Sequence, residues 1–259
     1  MLKQAIKQVV PEPMLSFARS RATQLRYFVL WKLRKNVSFE RSGSTINFVI
    51  VDTKDLIQRA QSKAAFYEEE ELNSISSYFR AGGVFVDIGA NTGQHSVYFA
   101  KLCGASKIIL FEPIPITCKI LKENIRLNNL DAVADPTHLG FGLSDKPSRA
   151  NFSIYVSNLG GTELRESTDG DIQTITGDSV LAGQQVDFIK IDTEGFEMKV
   201  LSGLARTIAE SKPTIFVEVD NHNLREFETF IKEIDYQIEQ RHKRYPQNEN
   251  FLIIPRSKI

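Results

Sequence analysis

The chain has 259 residues, 42% of them hydrophobic and 25% charged, which is typical of one globular α/β domain with a short extension. Its two cysteines, Cys103 and Cys118, have neither the CxxC nor the Cys/His spacing of a zinc site, and they favour a reducing compartment. The formal net charge is zero, but residues 1–41 carry nine basic and two acidic side chains, against 23 and 30 in the rest.

Residues 1–60 are predicted to form a basic extension of helices and a hairpin. Helices are expected within residues 1–35, broken at residues 11–13 (PEP), and a hairpin at residues 36–52. No signal-peptide core is present, and the longest apolar run is far too short to span a membrane, so we expect a cytoplasmic protein. A basic leader on an acidic body suits contact with a membrane surface, nucleic acid or an acidic partner, although a solvated helix packed on that body is the simpler interpretation.

From residue 61 to the C-terminus, strands and helices are predicted to alternate. A helix at residues 66–80 precedes an apolar strand at residues 83–88, which runs into a glycine turn. The other main strands are predicted at residues 107–113, 138–145, 186–192 and 214–220, and two short strands end the chain. Strands that are apolar throughout are buried on both faces, which favours a mostly parallel sheet with helices on both faces.

The glycine turn lies in the stretch VDIGANTGQHS and indicates which ligand the sheet edge binds. Dinucleotide folds need Gly-x-Gly-x-x-Gly, but Asn91 and Gln94 take the middle and last glycine positions, and no P-loop Lys-Ser/Thr follows. Gly89 and Gly93 still allow close approach to a helix N-terminus, which suits a carboxylate. Asp87 is placed to meet an amino group or the loop amides. Together these features favour the methionine end of S-adenosylmethionine over NAD.

Acidic residues recur at the predicted C-terminal ends of the strands, where the ligand crevice of an open α/β sheet lies. These residues are Asp87, Glu112, Asp145, Asp192 and Asp220. Glu112 ends the second of these strands, where a carboxylate can accept hydrogen bonds from both hydroxyls of a ribose.

Five blocks of the sequence, in this order, resemble the FkbM family of S-adenosylmethionine-dependent methyltransferases: VFVDIGANTGQHSVYFA, ILFEPIP, LSDK, VDFIKIDTEGFEMKVLSG and IFVEV. The resemblance covers residues 66–255. It implies a class I Rossmann-like fold, an α/β sheet of seven strands in the order 3-2-1-4-5-7-6. It also implies methyl transfer to a hydroxyl of a sugar, glycan, polyketide or similar small molecule. The cofactor contacts that it implies are Gly89, Asn91 and Gly93 at the methionine part, Glu112 at the ribose and Asp145 near the adenine amine.

Methyl transfer to an unactivated hydroxyl needs a group that takes its proton. Asp192 ends the fourth main strand beside the expected methyl group. It is expected to contact the cofactor and is our candidate base, with Glu194 assisting. Glu197 lies one helical turn further on, and helix capping is the alternative role for both glutamates. His222, after the fifth main strand, is a second candidate base, with a solvent-facing loop as the alternative. His95 is expected to contact the cofactor loop.

Four acids at two neighbouring strand ends could instead hold Mg²⁺, although a metal is not favoured: Asp192, Glu194, Glu218 and Asp220. The polar segment at residues 155–171 is predicted to be a loop over the substrate. Two other functions stay open. A nucleic-acid methyltransferase is disfavoured by the acidic body and by the absence of an Asn/Asp-Pro-Pro-aromatic motif, and a non-catalytic scaffold is disfavoured by the intact glycine turn. We expect a monomer or a homodimer.

Overall fold

The computed structural model describes residues 26–155 and 158–258. The predicted helices around residues 11–13 lie outside this part of the chain, and residues 26–32 form helix α1. The predicted hairpin follows as β1 (Lys35–Arg41) and β2 (Ser44–Ile50), which pair antiparallel. No helix in the described part is long and apolar enough to cross a lipid bilayer.

Within the described residues, eight further α-helices follow α1. They are α2 (Leu56–Gln61), α3 (Glu69–Ser76), α4 (Gln94–Leu102), α5 (Pro115–Leu127), α6 (Gly177–Val180), α7 (Glu197–Ser202), α8 (Ala205–Ser211) and α9 (Leu224–Glu233). The strands after the hairpin are β3 (Val84–Ile88), β4 (Lys107–Phe111), β5 (Ala134–Asp135), β6 (Phe141–Leu143), β7 (Ser148–Tyr155), β8 (Asn158–Glu166), β9 (Ile172–Ile175), β10 (Phe188–Ile191), β11 (Thr214–Asp220), β12 (Tyr236–His242) and β13 (Asn248–Pro255).

The main sheet has seven strands in the order β5-β4-β3-β10-β11-β13-β12. The first five are parallel, whereas β13 pairs antiparallel with both β11 and β12. When these seven strands are numbered along the chain, their order is 3-2-1-4-5-7-6. The predicted class I methyltransferase fold, a Rossmann-like α/β sheet, is therefore confirmed.

A second sheet of four strands, in the order β6-β9-β7-β8, was not predicted. The prediction that residues 138–145 form the third strand of the main sheet is wrong. The third strand of that sheet is the two-residue β5, and residues 141–143 form β6 of the second sheet. The segment predicted as a polar loop contains β8, which pairs with β7. The apolar residues Ala150, Phe152 and Ile154 alternate with polar ones, and this pattern is the sequence signal that indicates strand β7.

Successive residues of the central strands enter two separate cores. Phe85 and Phe188 face a core that they share with the hairpin, α3, α4 and α5. Val86 and Ile189 face the opposite core, which includes α7, α8 and α9. Because the side chains of a strand alternate between faces, both faces of the sheet are covered and its carboxyl edge remains as the place for a ligand. The division of the chain at residue 60 into an extension and a domain stays a prediction.

Candidate active site

A cleft opens at the carboxyl edge of the main sheet, beside the ends of β3, β4 and β10. It brings together five of the residues predicted from the sequence, Gly89, Asn91, Glu112, Asp192 and Glu194. The apolar part of its wall includes Phe111, Ile114, Phe141 and Leu143. The cleft therefore joins a polar end, made by the glycine turn and the acids, to an apolar end between β4 and β6.

The glycine turn after β3 has the left-handed backbone that its sequence predicts. Gly89, Asn91 and Gly93 all have positive φ, at 70°, 50° and 82°. A Cβ atom on Gly89 would lie 1.8 Å from the carbonyl oxygen of Asp192, so glycine is required by the neighbouring chain as well as by φ. The backbone of Asp192 is thereby held directly against the turn.

Glu112 is buried at the end of β4 and holds the glycine turn in place. Its Oε2 accepts a hydrogen bond from the backbone N of Asn91, and its Oε1 accepts from the backbone N of Ile114 and from Oγ1 of Thr117, each at 2.8 Å. Burial raises the pKa of the Glu112 carboxyl, and these hydrogen bonds act against that shift. Among the described residues, the buried Oδ1 of Asn91 has no hydrogen-bond partner, so the turn still offers an acceptor to a ligand.

Lys190 is a site residue that the sequence analysis missed. Its buried Nζ donates a hydrogen bond of 2.7 Å to the carbonyl of Gly89, and it lies 3.3 Å from Oδ2 of Asp192 and 3.6 Å from Oδ1 of Asp87. Burial opposes its charge, but Asp192 and Asp87 outweigh burial and raise the pKa of Lys190. A lysine inside the fully buried strand β10 was the available signal, because a charge in such a place needs a partner.

Asp87 meets a positive group, but that group is Lys190 of the chain itself. The Asp87 side chain is fully buried, its Oδ2 accepts a hydrogen bond of 2.5 Å from Oγ of Ser96, and it is not part of the cleft wall. Burial raises the pKa of Asp87, and Lys190 and Ser96 act against that shift. Asp87 therefore supports the turn from below, through Lys190.

Three carboxyl groups form an acidic cluster at the polar end of the cleft: Asp192, Glu194 and Glu218. One oxygen of each lies within 4.8 Å of the others, whereas Asp220, the fourth predicted Mg²⁺ ligand, is not in the group. Burial, followed by the charges of Asp192, Glu194 and Glu68, raises the pKa of Glu218 to about 9. A protonated Glu218 can donate a hydrogen bond. The ammonium of Lys190, 3.3 Å from Oδ2 of Asp192, already balances part of the negative charge of the cluster. Magnesium stays an unfavoured hypothesis.

We expect Glu218→Gln to raise the free energy of unfolding at pH 8 by about 2–5 kcal/mol, because each pH unit above the unfolded pKa costs wild type up to about 1.4 kcal/mol. The folded pKa of about 9 lies above that of an unfolded glutamate, so wild-type stability is lost as the pH rises between these two values. A neutral glutamine avoids this loss, and the difference in free energy of unfolding between Glu218→Gln and wild type should vanish near pH 4. Urea unfolding at pH 4 and pH 8 measures this difference, with the exposed Glu210→Gln as control. Equal stability of Glu218→Gln and wild type at pH 8 would contradict the raised pKa.

The segment before α3 is tied to the glycine turn. Oε1 of Gln94 accepts a hydrogen bond of 2.8 Å from the backbone N of Tyr67, and its Nε2 donates one of 2.9 Å to the carbonyl of Tyr67. The Tyr67 hydroxyl bonds to that of Tyr245, and Glu68 pairs with Arg244 at 3.4 Å. Gln94, the position where the dinucleotide pattern fails, therefore binds the segment that borders the acidic cluster.

Gly93 and His95 lie behind the cleft wall. Gly93 precedes the first residue of α4, and a Cβ there would lie 3.1 Å from Cγ of Leu121. His95 is half-buried in the first turn of α4, and burial, followed by the charge of Lys190, lowers its pKa well below the ordinary histidine value. A neutral His95 has one N–H donor and one nitrogen acceptor. Its contact with a cofactor stays a prediction.

Asp145 and His222 are not brought to the cleft. Asp145 is exposed and follows β6 of the second sheet, so the premise that it ends the third strand of the main sheet is wrong. His222 is also exposed, with its Nδ1 3.8 Å from Oδ2 of Asp220, and it is not part of the cleft wall. Glu197 is buried outside the cleft wall, where its Oε1 accepts hydrogen bonds from the backbone N of Asp220 and from Nδ2 of Asn223.

Comparison with known proteins identifies the family. A model of the methyltransferase FkbM domain matches residues 87–245, more than half of the chain. Hexuronic acid methyltransferase AglP of Haloferax volcanii is 26% identical over 193 residues, which cover 72% of this chain and 75% of AglP. Methyltransferase sdnD of Sordaria araneosa is 25% identical over 169 residues, which cover 51% of this chain and 64% of sdnD.

Among solved structures, the M. jannaschii tRNA m1G37 methyltransferase superposes with a TM-score of 0.50 at 16% identity, over 86% of this chain and 55% of that one. This similarity concerns the fold alone. The family match, by contrast, runs through the glycine turn, Glu112 and the Asp192 segment. The chain therefore belongs to the FkbM methyltransferase domain family and is an S-adenosylmethionine-dependent methyltransferase.

Proposed function

We propose that this enzyme transfers the methyl group of S-adenosylmethionine to a hydroxyl of a small acceptor, in the class of sugars, glycans and polyketide-type metabolites. The observation that carries the proposal is the position of Asp192, whose carboxylate is 38% exposed in the cleft while Lys190 holds it from behind. AglP, named a hexuronic acid methyltransferase, supports a sugar as the acceptor.

The residues present fit the cofactor. Bound S-adenosylmethionine supplies a methyl group on a sulfonium, which needs no further activation. We assign Gly89 and Asn91 to its methionine part, where the buried Oδ1 of Asn91 has no hydrogen-bond partner among the described residues. We assign Glu112 to the ribose, and the apolar wall between β4 and β6 to the adenine. Asp87, Gly93 and His95 support the turn that makes these contacts.

Asp192 is proposed to orient the acceptor hydroxyl and to take its proton as the oxygen bonds to the methyl carbon. The ammonium of Lys190 lies 3.3 Å from Oδ2 and holds this carboxylate in position. Glu218, protonated at neutral pH, can donate a hydrogen bond to a second acceptor oxygen. The negative charges of Asp192 and Glu194 disfavour an ionised carboxylate at the reacting position, so we expect a methyl ether rather than a methyl ester.

We expect Glu112→Gln to raise the Kd of S-adenosylmethionine about tenfold, in line with the loss of a hydrogen bond to a charged acceptor. The amide would also direct a donor at the backbone N–H groups of Asn91 and Ile114, which loosens the turn. Isothermal titration with S-adenosylmethionine measures the change, and Glu210→Gln is the exposed control. An unchanged Kd would contradict the ribose assignment.

The proposed reaction is tested by the release of S-adenosylhomocysteine with a panel of acceptors. The panel contains neutral sugars, hexuronic acids, polyketide alcohols, tRNA and DNA, each with and without enzyme. We expect release only with hydroxyl-bearing small molecules. Release with nucleic acid alone would replace the proposal by the nucleic-acid alternative. Binding of S-adenosylmethionine without turnover on any acceptor would favour the scaffold.

A further inference from the structure

Helix α1 presents an exposed surface that the catalytic proposal does not use. Within the described residues, the large apolar side chains that are mostly exposed are Phe28 (58%), Val29 (50%) and Leu33 (69%). Phe28 and Lys32 are four residues apart and lie on the same side of α1, Val29 is next to Phe28, and Leu33 follows directly after the helix. We call these four residues and Arg34 the α1 patch.

The opposite face of α1 is fixed to the body of the protein. Tyr27 is 1% exposed and packs in a small core with Val49 and Ile120. Arg26 pairs with the buried Asp52. Because α1 is anchored through this face, packing determines that the α1 patch points outward. No described part of the chain buries more than about half of each of its apolar side chains.

The α1 patch is surrounded by positive charge. The Lys32 ammonium lies 4.9 Å from the centre of the Phe28 ring, and the Trp31 ring is contacted by Arg34 at 4.5 Å and by Lys119 of α5 at 4.2 Å. The sequence has no acidic residue from Pro13 to Phe39. Glu123 of α5 pairs with Arg126, and the hydrogen bond from Arg126, with the charges of Arg126 and Arg34, lowers its pKa, so one acid offsets part of this positive charge. Aromatic and aliphatic side chains among an excess of cations are the composition of a surface that binds the interface of an anionic bilayer.

We propose that the α1 patch docks this enzyme on an anionic lipid surface, with Phe28 and Leu33 at the acyl boundary and Lys32 and Arg34 among the headgroups. The proposal is independent of the acceptor. Self-association through this patch is disfavoured, because a two-fold interface would bring the same cations face to face. Nucleic acid offers the negative charge but leaves the three exposed apolar side chains without a partner.

The test is cosedimentation of the full chain with vesicles of phosphatidylcholine alone and with vesicles that also contain phosphatidylserine. We expect binding to the second kind only, and weaker binding as the salt concentration rises. Two double variants probe the apolar and the charged part of the α1 patch: Phe28→Ser with Leu33→Ser, and Lys32→Gln with Arg34→Gln. Each should lower the constant for partitioning onto the phosphatidylserine vesicles about tenfold. The affinity for S-adenosylmethionine should stay at the wild-type value, which shows that the variants are folded.

The matched control is Arg225→Gln with Lys232→Gln on α9, which removes the same charge from an exposed surface elsewhere. This control should bind vesicles like wild type. The proposal is overturned if wild type shows no preference for phosphatidylserine, or if the control loses as much binding as the α1 variants. It is also overturned if Phe28→Ser with Leu33→Ser converts a dimer to a monomer in analytical ultracentrifugation while vesicle binding persists, because the patch would then be a self-association surface.

Discussion

Asp192→Asn is expected to lower kcat about a thousandfold, within the range typical for loss of a general base. The amide keeps the shape and the hydrogen-bonding oxygen of the carboxylate but cannot take the proton of an alcohol. The glycine turn meets Asp192 through its backbone carbonyl, which the substitution leaves in place. The Kd of S-adenosylmethionine should therefore change by less than about threefold, since the side chain acts on the acceptor. Initial-rate kinetics together with calorimetric titration separate the two effects.

The control for this experiment is Asp145→Asn, which changes an exposed aspartate outside the cleft wall in the same way. Wild-type kcat and cofactor affinity are expected for it, and weaker cofactor binding would instead revive its assignment to the adenine. Glu194→Gln is the second comparison. A near wild-type rate for Asp192→Asn, combined with a large loss for Glu194→Gln, would move the role of the base to Glu194.

Lys190→Met should lower the free energy of unfolding by about 3–5 kcal/mol, the usual effect of removing one partner of a buried ion pair. Methionine fills a similar volume, so the main loss is electrostatic. The buried carboxyl of Asp87 would keep only Ser96 as a partner, and the hydrogen bond that joins Lys190 to the carbonyl of Gly89 would be lost. Urea unfolding at neutral pH measures the effect, with the exposed Lys63→Met as control.

The stability deficit of Lys190→Met is expected to grow as the pH rises. Burial raises the pKa of Asp87 even in wild type, and Lys190 limits that rise. Without Lys190 the folded pKa of Asp87 goes higher still, so the variant loses stability as the pH climbs from the unfolded value through the folded one. Its deficit against wild type should thus be largest at neutral pH and should shrink as the pH falls and Asp87 becomes protonated. A deficit below about 1 kcal/mol, or one independent of pH, would show that Lys190 is not the main partner of these carboxyls.

The sequence predicts those parts of the fold whose pattern lies within a single strand or helix. The strands β3, β4, β10 and β11 are apolar runs that end in an acid, and their order follows from the resemblance to the family. The two-residue β5 is too short for a periodic signal, and the second sheet is made of half-polar strands. The sequence therefore predicts the third strand at residues 138–145, which places Asp145 at a strand end that the main sheet does not have.

The same distinction applies to the site. Glu112 and Asp192 could be predicted because each is an acid at the end of an apolar strand. The contact between Gln94 and Tyr67, 27 residues apart, and the three contacts of Lys190 depend on how strands and turns meet in space. The residues next to a position in the sequence do not indicate such long-range contacts. The rule that a buried charge needs a partner does single out Lys190 as a residue to explain.

A hydroxyl oxygen receives the methyl group in the proposed reaction, and NMR of a product made with S-adenosylmethionine labelled with ¹³C at the methyl carbon identifies the acceptor atom. We expect a labelled methyl ether on a sugar or similar small acceptor, formed by wild type and by Asp145→Asn, and about a thousandfold more slowly by Asp192→Asn. A labelled methyl ester, an N-methyl group, or a product whose rate of formation does not depend on Asp192 would contradict it.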